Sequence, residues 1–381
     1  MAWTIEWLRS WDAVWHPEHL ARWHAALAAA GDLAPPFMHP APVRAWLDTM
    51  GGEAALDPFF LVASHDDGHR VLWPLVRASS PALALMPRRL VVAGGSAIGA
   101  AQLFDYHDPI IAPAAGTRWE AVAPGFWAAF EAACFSRSDP GFDGFAARLR
   151  SGTCAPQGEG PPAGAAPFLR LDRHDGSAAF LMSRRIKFRS AVRRAVRRLS
   201  EKGEVAFRVH VPDDARDVLA CLPQLEAARL ERYRKALPEG YLARLVVEGA
   251  PSGVVHCTSL ALEGEPVAWN VSFFLNGTYY GYLQGFDRRH SGQSPGVVHL
   301  FRLIEWLFER RARRFDFLIG EEGYKADWTD GEATRLQTLT HDRHGAASAL
   351  RRTSEAGLSY LQRRQRGLKR KAGRLMQALG A

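Results

Sequence analysis

Residues Gly253–Trp328 read GVVHCTSLALEGEPVAWNVSFFLNGTYYGYLQGFDRRHSGQSPGVVHLFRLIEWLFERRARRFDFLIGEEGYKADW, and their punctuation decides the fold. Val254–Leu262 is an apolar, partly β-branched run closed by Glu263-Gly264-Glu265-Pro266. Val267–Leu275 follows and ends at Asn276-Gly277, a pair that tolerates positive φ and is the strongest short hairpin signal. Thr278–Phe286, with Tyr279, Tyr280 and Tyr282, makes the third strand of an antiparallel meander. After a polar loop, Arg288–Gly296, apolar residues recur at Val297, Leu300, Phe301, Ile304, Leu307 and Phe308, the spacing of an amphipathic helix. Ser294 stands where an N-cap hydroxyl accepts from first-turn amides, and Pro295 suits the first helical position, which needs no N–H. Arg310, Arg311, Arg313 and Arg314 crowd the far end, where cations oppose the dipole, and Arg314–Gly320 reads as a buried strand.

A helix entered from a Gly/Ser loop offers first-turn amides and a positive dipole end, which together suit an anion. Arg288 and Arg289 add charge and paired donors matched to phosphate. The same loop is also the ordinary start of a capped helix; the strands on either side of it weigh toward a pyrophosphate site.

The order strand, Arg/Gln-x-x-Gly-x-Gly/Ala loop, helix, strand resembles the cofactor-binding core of GNAT acyltransferases. Arg289-x-x-Gly292-x-Ser294 is similar to that loop, with serine in the last place. The wider pattern resembles the FemAB-like branch, and most closely the CelD/BcsL-type acetyltransferases, in Gly285-Phe286-Asp287, Ser294-Pro295-Gly296, Ile319-Gly320 and Tyr324-Lys325-Ala326-Asp327-Trp328. It covers Ser183–Trp328 and, more weakly, Phe59–Pro113. The resemblance implies a mixed α/β fold of mainly antiparallel sheets with flanking helices, in two GNAT-like lobes. It implies acetyl-CoA or another acyl-CoA as co-substrate, with Arg288, Arg289, Ser291, Gly292, Ser294 and Gly296 around the pyrophosphate. Lys325 either holds a phosphate or pairs with a neighbouring carboxylate.

Direct acyl transfer of this type gains mostly from positioning, with general-base help. Glu321 is the preferred base; Asp287, at the loop mouth, is another candidate. Tyr324 divides evenly between a general-acid and a packing role. For Asp316, fixing the strand end outweighs catalysis. His290 and His299 are alternatives, because histidine titrates near neutral pH. The implied acceptor is an amine or hydroxyl on a small molecule or glycan precursor, and CelD-like relatives are linked to cellulose and exopolysaccharide production.

The remaining sequence sets the boundaries. At 381 residues the chain has room for two domains, and 47% apolar with 23% charged residues is a globular composition. The first lobe is expected over 1–150, a Gly/Pro/Ala linker over 151–167, the second lobe over 168–345 and a basic helical tail over 346–381. In the first lobe, Pro58–Ser64, Arg70–Arg77, Arg89–Ala93 and Tyr106–Ile111 read as strands, with a turn at His65-Asp66-Asp67-Gly68 and a helix over Thr117–Phe135. Cys134, Cys154, Cys221 and Cys257 are widely spaced, which with the lack of an apolar leader suggests reduced thiols and a cytoplasmic protein. No run approaches the ~20 apolar residues of a transmembrane helix.

Other motifs fail. Gly94–Gly99 lacks the G-x-G-x-x-G spacing of a dinucleotide site. His65 with His69, or His341 with His344, lacks the Cys or carboxylate pattern that would complete a metal site, so single surface histidines and no metal are expected.

The net charge of +8 is concentrated: Arg184–Lys202 and Leu350–Ala381 each hold nine Lys/Arg against one Glu. In the first, Phe188, Ala191, Val192, Ala195, Val196 and Leu199 form a helical stripe opposite the arginines. A packed amphipathic helix explains that pattern; Arg185, Lys187 or Arg189 reaching an anion is the functional version. The tail, 350–381, offers a surface for an anionic partner or membrane, and no specific nucleic-acid motif is present. Two functions from other classes remain open: a FemAB-like transferase using aminoacyl-tRNA, and a non-catalytic partner protein that keeps the GNAT fold.

Overall fold

The computed structural model of the chain describes residues 2–50, 52, 56–78, 89–95, 103–135, 142, 144–150, 162–210, 219, 222–223, 225–227, 237–320 and 322–342. In chain order the elements are β1 (Trp3–Leu8), α1 (Trp11–Val14), α2 (Pro17–Ala29), α3 (Pro40–Thr49), β2 (Leu56–Pro58), β3 (Phe60–His65), β4 (Arg70–Trp73), β5 (Leu75–Ala78), β6 (Arg89–Val92) and β7 (Ile110–Ala112). They continue with α4 (Trp119–Phe135), β8 (Gly144–Arg150), β9 (Pro162–Arg170), α5 (Ser177–Ser183), α6 (Ile186–Ser200), β10 (Val205–His210) and α7 (Tyr241–Gly249). The last are β11 (Val255–Leu262), β12 (Glu265–Leu275), β13 (Thr278–Phe286), α8 (Pro295–Glu309), β14 (Arg314–Asp316), α9 (Gly323–Trp328) and β15 (Ala333–Asp342).

The meander forms as its turns dictate. Glu263 and Gly264 (φ 51 and 83) and Asn276 and Gly277 (φ 47 and 78) take left-handed backbone at both turn positions, and β11–β12–β13 pair antiparallel around them. Positive φ at two successive residues matches the twist of the strands it joins, which explains why Asn-Gly marks the hairpin. Helix α8 then crosses one face of the sheet and buries Val298, Leu300, Leu303, Ile304 and Leu307. Helix α6 packs on α8 through Val192, Ala195 and Leu199, so the packed-helix reading of the first basic segment holds.

One mixed sheet runs through both halves in the order β10-β11-β12-β13-β14-β9-β15-β8-β6-β5-β2. Its halves repeat a pattern: an antiparallel pair, then a parallel pair bridged by a helix, then an antiparallel neighbour. In the second half the parallel pair is β13 with β14 across α8; in the first it is β6 with β8 across α4. The strands that join the halves are exchanged. β9, which follows the first half, completes the second by pairing with β14, and β15, which follows the second, completes the first by pairing with β8. β9 and β15 also pair with each other. The linker expected over 151–167 is therefore a strand from Pro162 onward; 151–161 and the tail 346–381 lie outside the described residues.

Two strands expected as continuous in the first half each split. Phe59 separates β2 from β3, and Pro74, which has no N–H to continue a ladder, separates β4 from β5. At these corners the chain leaves the large sheet (β2, β5) for a second sheet, β1-β3-β4-β7. The core between them is aromatic, with Trp23, Trp46, Trp73 and Phe126 fully buried.

Candidate functional site

The parallel pairing of β13 with β14 ends at Tyr280↔Asp316. β13 runs on to Phe286, whereas β14 stops and the chain turns away through Leu318 (φ 56) and Gly320 (φ 144). An irregularity in the β12–β13 ladder falls at the same level, between Val271↔Leu283 and Phe273↔Tyr280, and puts the extra residue on β13. The two strands thus open at their carboxyl ends, with the β13–α8 loop at the rim.

That loop, Arg288–Gln293, is a short 3-10 helix and not an extended coil. Asp287 caps it, accepting the Arg289 amide at 2.9 Å and the Arg289 guanidinium at 2.9 and 2.6 Å. These bonds hold the Asp287 carboxyl below its usual range and raise Arg289. Asp287 accordingly builds the loop. Arg288, Arg289, Ser291 and Gly292 are exposed and Ser294 and Gly296 half-buried, so the loop presents its residues outward. Ser294 occupies the N-cap position as expected but in left-handed backbone (φ 55), with no side-chain cap bond; its carbonyl accepts from Val297 and Val298 instead.

The residues expected after β14 behave differently. Asp316 is buried and accepts from Tyr106 Oη at 2.8 Å, Leu318 N at 2.9 Å and Arg314 at 2.9 Å, the strand-end role. Lys325 is also buried; its Nζ bonds the carbonyls of Leu318 and Ile319 and lies 2.8 Å from Glu322. Glu322 is the neighbouring carboxylate it pairs with. Tyr324 is half-buried against the α8 core. Glu321 lies outside the described residues. His290 is half-buried in the loop, whereas His299 faces the sheet, bonded to Thr258 Oγ1 at 2.9 Å, and burial pushes its pKa down to about 3. The loop residues thus share one rim of the opening, while Asp316 and Lys325 frame its far wall.

The first half supplies what the sequence reading missed. Leu103–Asp108 crosses the opening: Tyr282 Oη on β13 donates to Leu103 O at 2.9 Å, Tyr106 Oη reaches Asp316, and Ile319 N donates to Asp105 Oδ2 at 3.2 Å. Arg148 on β8 anchors the segment through the carbonyls of Asp105 and Phe104. Behind it, Arg150 and Asp108 form a buried ion pair at 2.8 Å.

The expectation of single surface histidines fails at His65 and His69. Both are buried, with Nδ1 atoms 2.7 and 2.8 Å from Asp67 Oδ1. That oxygen also accepts the His69 amide at 3.1 Å. Burial alone would raise the Asp67 carboxyl, yet the histidine donors hold it below its usual range. The trio is within metal-binding reach, but its shared oxygen is already taken up in closing the turn. His341 stacks on Phe135 at 3.9 Å, and His344 lies outside the described residues. No helix among the described residues is long and apolar enough to cross a membrane.

The family profile described as an acetyltransferase (GNAT) domain matches residues 187–326. No curated protein sequence matches the chain. Among solved structures, FemX aligns at 10% identity and a TM-score of 0.53, over 85% of this chain and 94% of that one. A conserved protein of unknown function from Bacteroides thetaiotaomicron aligns at 11% and 0.50, over 89% and 100%. A tandem GNAT protein from the clavulanic acid biosynthesis pathway aligns at 14% and 0.40, over 90% and 99%. At such identities the likeness is one of fold. The chain carries a GNAT-type acetyltransferase domain within a mixed α/β architecture.

Proposed function

We propose that the protein transfers an acyl group, acetyl first, from acyl-CoA to an amine or hydroxyl. The observation that supports this most directly is the opening of the β13–β14 pair beyond Tyr280↔Asp316, with the arginine-bearing loop and the start of α8 at its rim. A pantetheine arm fits between strands that leave backbone groups unshared, and a pyrophosphate fits the first-turn amides with Arg288 and Arg289. The acyl carbonyl then lies near the irregular segment of β13, where a backbone N–H polarises it. The motifs shared with CelD/BcsL-type enzymes favour a small molecule or glycan precursor of polysaccharide production as acceptor, with the chemistry in the cytoplasm.

Calorimetric titration with acetyl-CoA tests this, comparing wild type with an Arg289→Ala, Gly292→Glu variant. A Cβ at Gly292 meets nothing within 4 Å, so the variant is expected to fold. Micromolar binding weakened at least ~10-fold, or about 1.4 kcal/mol, in the variant is expected. Absence of acetyl-CoA or longer acyl-CoA binding by the folded wild type would remove the reading.

A further inference from the structure

The opening between β13 and β14 is walled by the other half of the molecule, and that wall carries a carboxylate. Three ionisable groups expected or found around the far wall are Asp316, Lys325 and Asp105. The first two are buried and committed: Asp316 to three donors, Lys325 to two carbonyls and Glu322. Asp105 differs. Its neighbours Phe104 and Tyr106 are fully buried, yet its own side chain keeps 29% exposure. Oδ2 accepts from Ile319 N at 3.2 Å, which places the carboxylate beside the chain that has just left β14. Oδ1 makes a looser ion pair with Arg148, 3.6 Å from its Nη2, without a hydrogen bond. The segment is pinned at both sides of the opening, to Tyr282 on β13 and to Asp316 on β14, so Asp105 is held between the diverging strands.

We infer that Asp105, contributed by the first half, takes the proton from the acceptor nucleophile at the acyl site of the second half. This rests on the acyl-CoA reading above. In the step, the acceptor N or O forms a bond to the thioester carbonyl carbon, the C–S bond breaks, and the acceptor proton passes to Asp105. CoA leaves as a thiolate and is protonated from solvent, and Asp105 returns its proton to water. The surroundings make this carboxylate a stronger base than an ordinary one. Burial raises the carboxyl, Asp316 adds to that, and Arg148, Lys325 and the Ile319 amide oppose it, with a net upward shift.

The test uses the full chain and two variants, Asp105→Asn and Asp105→Glu. Acetyl-CoA affinity is measured by calorimetry, and thiol release from acetyl-CoA is followed with water alone and with ethanolamine, which offers both an amine and a hydroxyl. Asn preserves the oxygen that accepts from Ile319, and thermal melting checks the fold. The expected result is affinity within about twofold of wild type, turnover down about 100-fold or more in Asp105→Asn, loss of the acid limb of the pH profile, and partial rescue in Asp105→Glu. Turnover within threefold of wild type with an unchanged profile would overturn the assignment and leave the donor site standing. A wild type that binds acetyl-CoA yet cleaves it no faster than buffer would also overturn it. Failure to bind acetyl-CoA sinks the acyl-CoA reading itself.

Discussion

Tyr106→Phe isolates one of the bonds that join the two halves at the candidate site. Tyr106 is fully buried and its hydroxyl donates at 2.8 Å to Asp316, itself 1% exposed. Burial and the nearby carboxylate push the phenol well above its ordinary pKa, so it is a neutral donor at any working pH. Phenylalanine keeps the ring packing and removes one oxygen. The loss is then one hydrogen bond to a buried charged acceptor, about 1.5–3 kcal/mol. Asp316 Oδ1 still accepts from Leu318 N, so the carboxylate is not orphaned, and the lower end, about 1.5 kcal/mol, is expected. Urea unfolding followed by tryptophan fluorescence measures it. A cycle with Asp316→Asn separates the pairwise part, expected at about 1 kcal/mol or more. Because the partners are 210 residues apart, the bond constrains the halves to unfold together, and loosening it should separate transitions seen by different probes. A loss below about 0.5 kcal/mol, with no coupling in the cycle, would refute the view that this contact ties the first half to the candidate site.

Other consequences follow from single contacts. Gly94 sits at φ 75, and a Cβ there would overlap the Phe104 ring; Gly94→Ala should cost about 2 kcal/mol or more and displace the segment bearing Asp105, seen as lower turnover at retained acetyl-CoA affinity. Leu199→Ala, fully buried between α6 and the sheet, should cost about 2–5 kcal/mol in urea unfolding; a cost under 1 kcal/mol would mean α6 is not docked. Burial lowers His299 to about 3, and burial with a nearby cation (Arg148) or histidine (His24) does the same to His107 and His39. The unfolded chain then binds protons that the folded one does not. Stability from these groups is complete above the unfolded value of 6.5 and is lost as pH falls toward 3, by about 2 kcal/mol per group at pH 5. His299→Gln should flatten the pH 5–7 slope of the melting temperature; an unchanged slope would count against it.

The elements that were legible in the sequence are those whose signals are local. Asn276-Gly277 specifies its own turn because both residues tolerate the required φ, and the α8 stripe specifies its buried face because side chains three and four apart share it. The loop from Arg288 to Gly296 was found for the same reason, although its internal geometry was not. Ser294 looked like a side-chain cap, yet it follows a 3-10 turn in left-handed backbone and its side chain makes no cap bond.

Long-range features left no such trace. The exchange of β9 and β15 between halves depends on pairing partners about 170 residues apart, which no periodicity encodes. Pro74 was visible, but that it turns a strand from one sheet into another follows only from which neighbours each half finds. The same holds with more force at the site. Asp316 and Lys325 stand in a motif and are bonded to their surroundings, whereas Asp105 stands in no motif and gains its position from its bond with Ile319 N and from those of its neighbours Leu103 and Tyr106 with Tyr282 and Asp316. A nucleotide loop must present consecutive amides and is therefore written in consecutive residues. A proton acceptor needs only one oxygen at one place, and either half of the shared sheet can supply it.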